Sequence, residues 1–281
     1  MTPTARLLDH FQQVTKEHQH KAIRITCFVM GIVFLTTAIL LFIFVSQVTL
    51  VLSILFGLAM MSFFVLWLMG RFYLSEAPFY QILMPHIVEQ IQFEEFPTLL
   101  YQVKPDKNAS LSESGLVPQY ATKSVRASYT FLDDEGYPIH ILDVHCYTQS
   151  NKSYVNHFNG YLVALSAVPI DPFQLRTSGN PPRSDIRYTR IKEEDRVRFY
   201  VEKDKDTRDG QSWVPSFLNL KEKLDAKHLF LSVKEQKMYL AIDLRKPQRA
   251  LRNLDAKTYQ AMYQNTVSLM HHLFNYKQTL S

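Results

Sequence analysis

The chain has 281 residues, 47% of them hydrophobic, and 31 Lys and Arg against 26 Asp and Glu leave a net charge of +5. So small an excess is not the dominant basic face of a nucleic-acid binder, and no nucleic-acid partner is expected. The two cysteines, Cys27 in an apolar run and Cys146 in the C-terminal region, are too far apart to pair, which agrees with a reducing location.

Residues 1–24 read as a cytoplasmic amphipathic helix, because Leu7, Leu8, Phe11, Val14 and His18 recur at helical spacing. Residues 25–70 then run for 46 positions without Asp, Glu, Lys or Arg. One continuous helix of that length would reach roughly 69 Å, about twice a bilayer core, so the run must fold back. The polar cluster Ser46, Gln47 and Thr49 leaves 25–45 and 50–70 as two stretches of 21 residues, which predicts a transmembrane helical hairpin. Arg6, Lys16, Lys21, Arg24 and Arg71 flank it while its turn is uncharged, so both termini are expected to be cytoplasmic. A cleaved signal peptide fits poorly, since the apolar stretch starts late and is too long. Ser53 and Gly57 form a small-residue face suited to close helix packing.

Residues 71–103 are expected as a juxtamembrane helical segment, with Phe79, Tyr80, Ile82, Leu83, Ile87 and Ile91 in helical period and Pro85 kinking or dividing it. Lys104 to Gln119 is polar and reads as a linker or long loop. From Lys123 the period changes to two. Val125, Ala127, Tyr129 and Phe131 alternate with polar residues, Asp133-Asp134-Glu135-Gly136 makes a turn, and Ile139, Leu142 and Val144 return as a second strand. Further strands are predicted over 154–166, 186–191, 197–202, 228–233 and 237–243, with helices over 213–224 and 254–276. Strands gathered between helices make residues 104–281 a cytoplasmic α+β domain with a mostly antiparallel sheet and flanking helices.

Several of these stretches carry a family likeness: His157-Phe158-Asn159-Gly160-Tyr161, then Arg198-Phe199-Tyr200-Val201, the helix opened by Pro215, and Lys237-Met238-Tyr239-Leu240-Ala241-Ile242. In that order, after two apolar spans, they resemble the bacterial membrane proteins grouped as domain of unknown function 3137. The chain departs from that pattern before Pro215, where Gly210-Gln211-Ser212-Trp213 replaces an Ala-Arg-aromatic strand. The resemblance implies a bacterial inner-membrane protein and brings no activity with it.

No Walker lysine loop, G-x-S-x-G, C-x-x-C or H-E-x-x-H is present. Asp143 and His145 share a strand face and His157 could approach from a neighbouring strand, but strand-edge polar residues explain them better than a zinc site. Cys146 beside His145 faces away from it, and Asp133-Asp134-Glu135 reads as a charged turn. Asp204 to Gly210 fails the register of a calcium loop. No catalytic residue, metal or cofactor is therefore expected. Arg245, Lys246, Arg249 and Arg252 stand without an acid among them ahead of the last helix, where the macrodipole disfavours cations, and make a candidate anion or lipid-headgroup site. Function is expected to be that of a non-enzymatic, inner-membrane-anchored binding or scaffold domain, engaging an unidentified protein or an anionic membrane surface. The alternative is a membrane-tethered enzyme with a His/Asp site in the strand region. A deep cleft lined by His140, Asp143, His145 or His157 would favour the enzyme, and an exposed aromatic patch the binder.

Overall fold

A computed structural model describes residues 6–14, 16–17, 25, 29, 31–33, 36, 79–105, 109–118, 121–150, 153–166, 171–182, 188–194, 196–203, 209–234, 236–244 and 255–279. The chain divides into two compact units, Met1–Met84 with Gln248–Tyr259, and Pro85–Pro247 with Gln260–Ser281.

In the first unit, residues 6–14 are helical and bury Leu7 and Phe11, four apart on one face. A π-helical turn, Phe79–Leu83, leads into helix α1 (Met84–Glu94). The change of helix type falls beside Pro85, which has no N–H for the helical ladder. Asp255 accepts the Thr258 amide at 2.7 Å, and hydrogen bonding from the Thr258 side chain first and this amide second holds its carboxyl below the usual range.

The membrane hairpin expected over 25–70 lies almost wholly outside the described residues, and among those residues no helix is long and apolar enough to cross a membrane. The expected fold class and the multi-pass inner-membrane location are corrected on that finding. The protein is α+β, built on one large antiparallel sheet with helices. A charge-free run reports composition, whereas a span also needs about 20 apolar residues in one helix. The described helical residues of that region, 25, 29, 31–33 and 36, do not make one up.

Among its described residues the second unit holds nine strands: β1 (Leu100–Val103), β2 (Thr122–Leu132), β3 (Pro138–Ser150), β4 (Ser153–Ser166), β5 (Phe173–Arg176), β6 (Tyr188–Glu194), β7 (Val197–Glu202), β8 (Ala226–Lys234) and β9 (Lys237–Leu244). Helix α2 (Ala109–Glu113) falls between β1 and β2, α3 (Val214–Lys223) between β7 and β8, and α4 (Ala256–Gln278) follows β9. The strands form one antiparallel sheet in the order β1-β2-β3-β4-β9-β8-β5-β7-β6. The first four make a meander. After β4 the chain skips two places, and the β8–β9 hairpin fills the gap.

Register and the two-residue period assign the faces. One face carries Phe131, Ile139, Ile141, Val163, Leu240, Leu231 and Phe173, all buried. Helices cover it: Phe96 bridges Phe131 and His271 of α4 at 4.9 and 5.0 Å, and α3 packs on β8 behind Trp213, whose ring meets Phe173 at 5.3 Å. The β2–β3 turn docks on the end of α4 through Lys277, which pairs with Asp133 and stands 4.8 Å from the Tyr137 ring. The opposite face carries Leu142, Val144, Cys146, Phe158, Leu162, Phe230, Tyr239 and Ala241.

The segment expected as a linker covers this second face. Leu111, Leu116 and Val117 of that segment, with Ala121 just beyond it, are buried in its apolar cluster, each large side chain contributing about 1.5–3 kcal/mol. Its polar groups are satisfied as well. The Ser114 hydroxyl donates to the Leu111 carbonyl and accepts the Leu116 amide, Tyr239 donates to Glu113 at 3.1 Å, and Gln174 donates to the Gly115 carbonyl at 3.3 Å. The irregular spacing of its apolar residues, not a lack of them, hid this segment from periodicity.

Candidate ligand-binding site

A cavity of about 550 Å³ lies on the second face, between the sheet and the covering segment. Its floor is a row across three neighbouring strands: Arg176 of β5 stands opposite Phe230 of β8, and Phe230 opposite Ala241 of β9. Leu116, Val117 and Pro118 form one wall, His157 and Phe158 of β4 another, and Asn180 and Pro182 the loop after β5. That loop is fastened from below, since the Tyr200 hydroxyl donates to Asn180 Oδ1 at 3.0 Å and Thr177 Oγ1 accepts the Leu229 amide at 3.0 Å. Gly179 takes φ +67° at its bend, the left-handed region where a side chain is strained. Asn180 is exposed and Pro118 and Pro182 are half-buried, so the cavity meets solvent at this end.

Two β-bulges shape the surroundings. Between β3 and β4 the register passes from Cys146↔Phe158 to Tyr147↔Asn156, so His157 is the extra residue. A regular strand would turn His157 and Phe158 to opposite faces, whereas the bulge lets both line the cavity. Between β2 and β3 the extra residue is Arg126, and its guanidinium reaches Asp143 at 3.1 Å and Asn159 at 3.0 Å.

The residues singled out from sequence are thus dispersed. Asp143, 2% exposed, is held by Arg126; His145 shares a 2.8 Å hydrogen bond with Tyr154; His157 shares one of 2.7 Å with Thr148; His140 meets Thr130 at 3.0 Å. No group of three or more His, Cys, Asp and Glu among the described residues could hold a metal. Of the four residues named for a cleft, His157 lines the cavity and His140, Asp143 and His145 do not. Cys146 is fully buried, and burial pushes its thiol up to about 12, far from a reactive thiolate. Asp133 and Asp134 bind Lys277 and Gln278 of α4. Arg245, Lys246, Arg249 and Arg252 lie outside the described residues, as does most of the Asp204–Gly210 loop.

Arg176 was not legible as a site residue. It ends the strand Phe173-Gln174-Leu175-Arg176, all four of which are buried. The available signal was the apolar–polar alternation of these four residues between Pro172 and Thr177-Ser178-Gly179, and alternation alone does not show that the face carrying Gln174 and Arg176 is covered as well.

No protein-family model matches the chain, and no curated protein matches it. Among solved structures, the crystal structure of the mycobacterial trehalose monomycolate transport factor A, TtfA, aligns with 72% of this chain and 97% of its own at 10% identity, with a TM-score of 0.39. A likeness of that degree carries no information about the cavity or its residues.

Proposed function

We propose that this chain is a binding domain whose ligand is a small molecule with apolar and polar parts, seated in the cavity between the sheet and the 111–118 segment. One observation carries this: a volume of about 550 Å³ lined by Leu116, Val117, Phe158, Phe230 and Ala241, with three polar side chains, His157, Arg176 and Asn180, converging on it. Apolar walls with a few placed polar groups are the composition of small-molecule sites. Binding is favoured over catalysis because the described lining contains no carboxylate, hydroxyl, thiol or amine to act as nucleophile or as partner to His157.

The test is displacement of Nile red from the full chain by medium-chain alcohols. Saturable displacement is expected, lost on Ala241→Leu, which fills the floor, and weakened by Asn180→Trp, which crowds the mouth and leaves the core alone. Thermal melts check that both variants are folded. Equal displacement from the wild type and both folded variants would sink the proposal.

A further inference from the structure

We propose that the cavity selects organic acids, its ligand presenting a carboxylate to Arg176 while its apolar body lies along Phe230, Phe158 and Val117. This rests on the cavity being a ligand site and adds the charge of the ligand.

The basis is an arginine without a counter-ion among the described residues. Arg176 is 6% exposed, yet no carboxylate among the described residues pairs with it. Among the described residues its hydrogen bond runs from Nη1 to Gln174 Oε1 at 3.2 Å, and Nε is buried with no partner there. One flat side of the guanidinium is occupied by the Phe230 ring, 4.3 Å away. Burial pushes this group down to about 10, so it stays cationic at neutral pH while its desolvation is uncompensated. A buried charge of that kind is costly, and a ligand of opposite sign would offset the cost.

The geometry also narrows the class of anion. A guanidinium offers five N–H donors in a planar fork, and an edge formed by Nε and a terminal nitrogen matches the two oxygens of a carboxylate. Phe230 restricts approach to that plane. Gln174 fixes the other terminal nitrogen, and it is itself tied to the Gly115 carbonyl of the covering segment. The donor is therefore set before the ligand enters, which lowers the ordering cost of binding. Among the described lining residues Arg176 is the sole side chain with a permanent charge, so a head group of one negative charge is matched and a doubly charged one is not.

The experiment compares decanoate, methyl decanoate and decanol as displacers of Nile red from the full chain at pH 7.5. Decanoate is expected to bind at least tenfold more tightly than either neutral analogue. Arg176→Met keeps the stem and removes the charge, and is expected to bring the three ligands within about twofold of each other with decanol affinity unchanged. The unliganded Arg176→Met protein is expected to melt at or above the wild-type temperature, because an uncompensated charge has been taken out of the interior. Equal affinities for all three in the wild type would refute the acid selectivity and leave the cavity as a neutral apolar site. A preference for decanoate that survives in Arg176→Met would place the anion elsewhere and also refute it. A large fall in melting temperature with selectivity intact would make Arg176 a structural residue. Failure of all three to displace the dye would overturn the ligand site itself.

Discussion

The Arg126–Asp143 pair offers a quantitative test of how the sheet holds its polar interior. The side chains are 11% and 3% exposed and meet at 3.1 Å, with Asn159 accepting a second bond from Arg126. Coulomb's law at that distance with an effective dielectric of about 20 gives roughly 5 kcal/mol of attraction. Much of it offsets the removal of both charges from water, so the intact pair is not a large net gain. Breaking it is another matter. Asp143→Leu takes the acid at 3.1 Å away from the buried guanidinium, and Arg126→Met takes the cation away from the buried carboxylate. Each is expected to cost about 3–5 kcal/mol in urea unfolding, or on the order of 10 °C in melting temperature. The double variant, with both sites apolar, is expected to return to within about 1 kcal/mol of the wild type. Four urea titrations at constant m-value close the cycle. Additive losses in the double variant would show that the two residues do not act as a unit, and would refute the reasoning.

Gly160→Ala is expected to abolish folding, because a Cβ there would sit 1.9 Å from the Ile242 carbonyl oxygen in the facing strand β9; loss of the cooperative melt measures it. Burial works to raise the Asp133 carboxyl, but Lys277 and the Tyr137 and Glu135 amides outweigh it and hold the group below its ordinary value. Its contribution to stability is therefore present above the unfolded pKa of about 4 and disappears as pH falls through the lower folded value, and Asp133→Asn should flatten the pH–stability curve in that window. Peptide-resolved maleimide labelling should find Cys146 silent in the native protein and modified at a rate that follows unfolding by urea, since the thiol is buried and raised to about 12. Gln236 sits at φ +62° in the β8–β9 turn, so Gln236→Gly should stabilise by about 0.5–1 kcal/mol in the same titrations, and destabilisation would contradict the strain.

The sequence alone determined the elements whose pattern is local. Alternation marked β2, apolar and aromatic runs marked β4 and β7, and period 3.6 marked α4, because each of these patterns is set by near neighbours in the chain. Pro85 marked a break that became the passage from a π turn to α1. Composition over 25–70 was a weaker guide, since apolarity does not by itself specify a helix that spans a bilayer. Tertiary structure decided everything that depends on neighbours. Strand β5 alternates as Phe-Gln-Leu-Arg but is only four residues long, and nothing in that alternation shows that its polar face is covered too; the 111–118 segment shows no period because irregularly spaced residues bury it. The two bulges turned Arg126 toward Asp143 and brought His157 to the cavity, and an inserted residue in a ladder leaves no mark in composition. Arg176 became a candidate site residue only when the chain's skip from β4 to β5 set it beside Phe230 on the floor of the cavity under the covering segment.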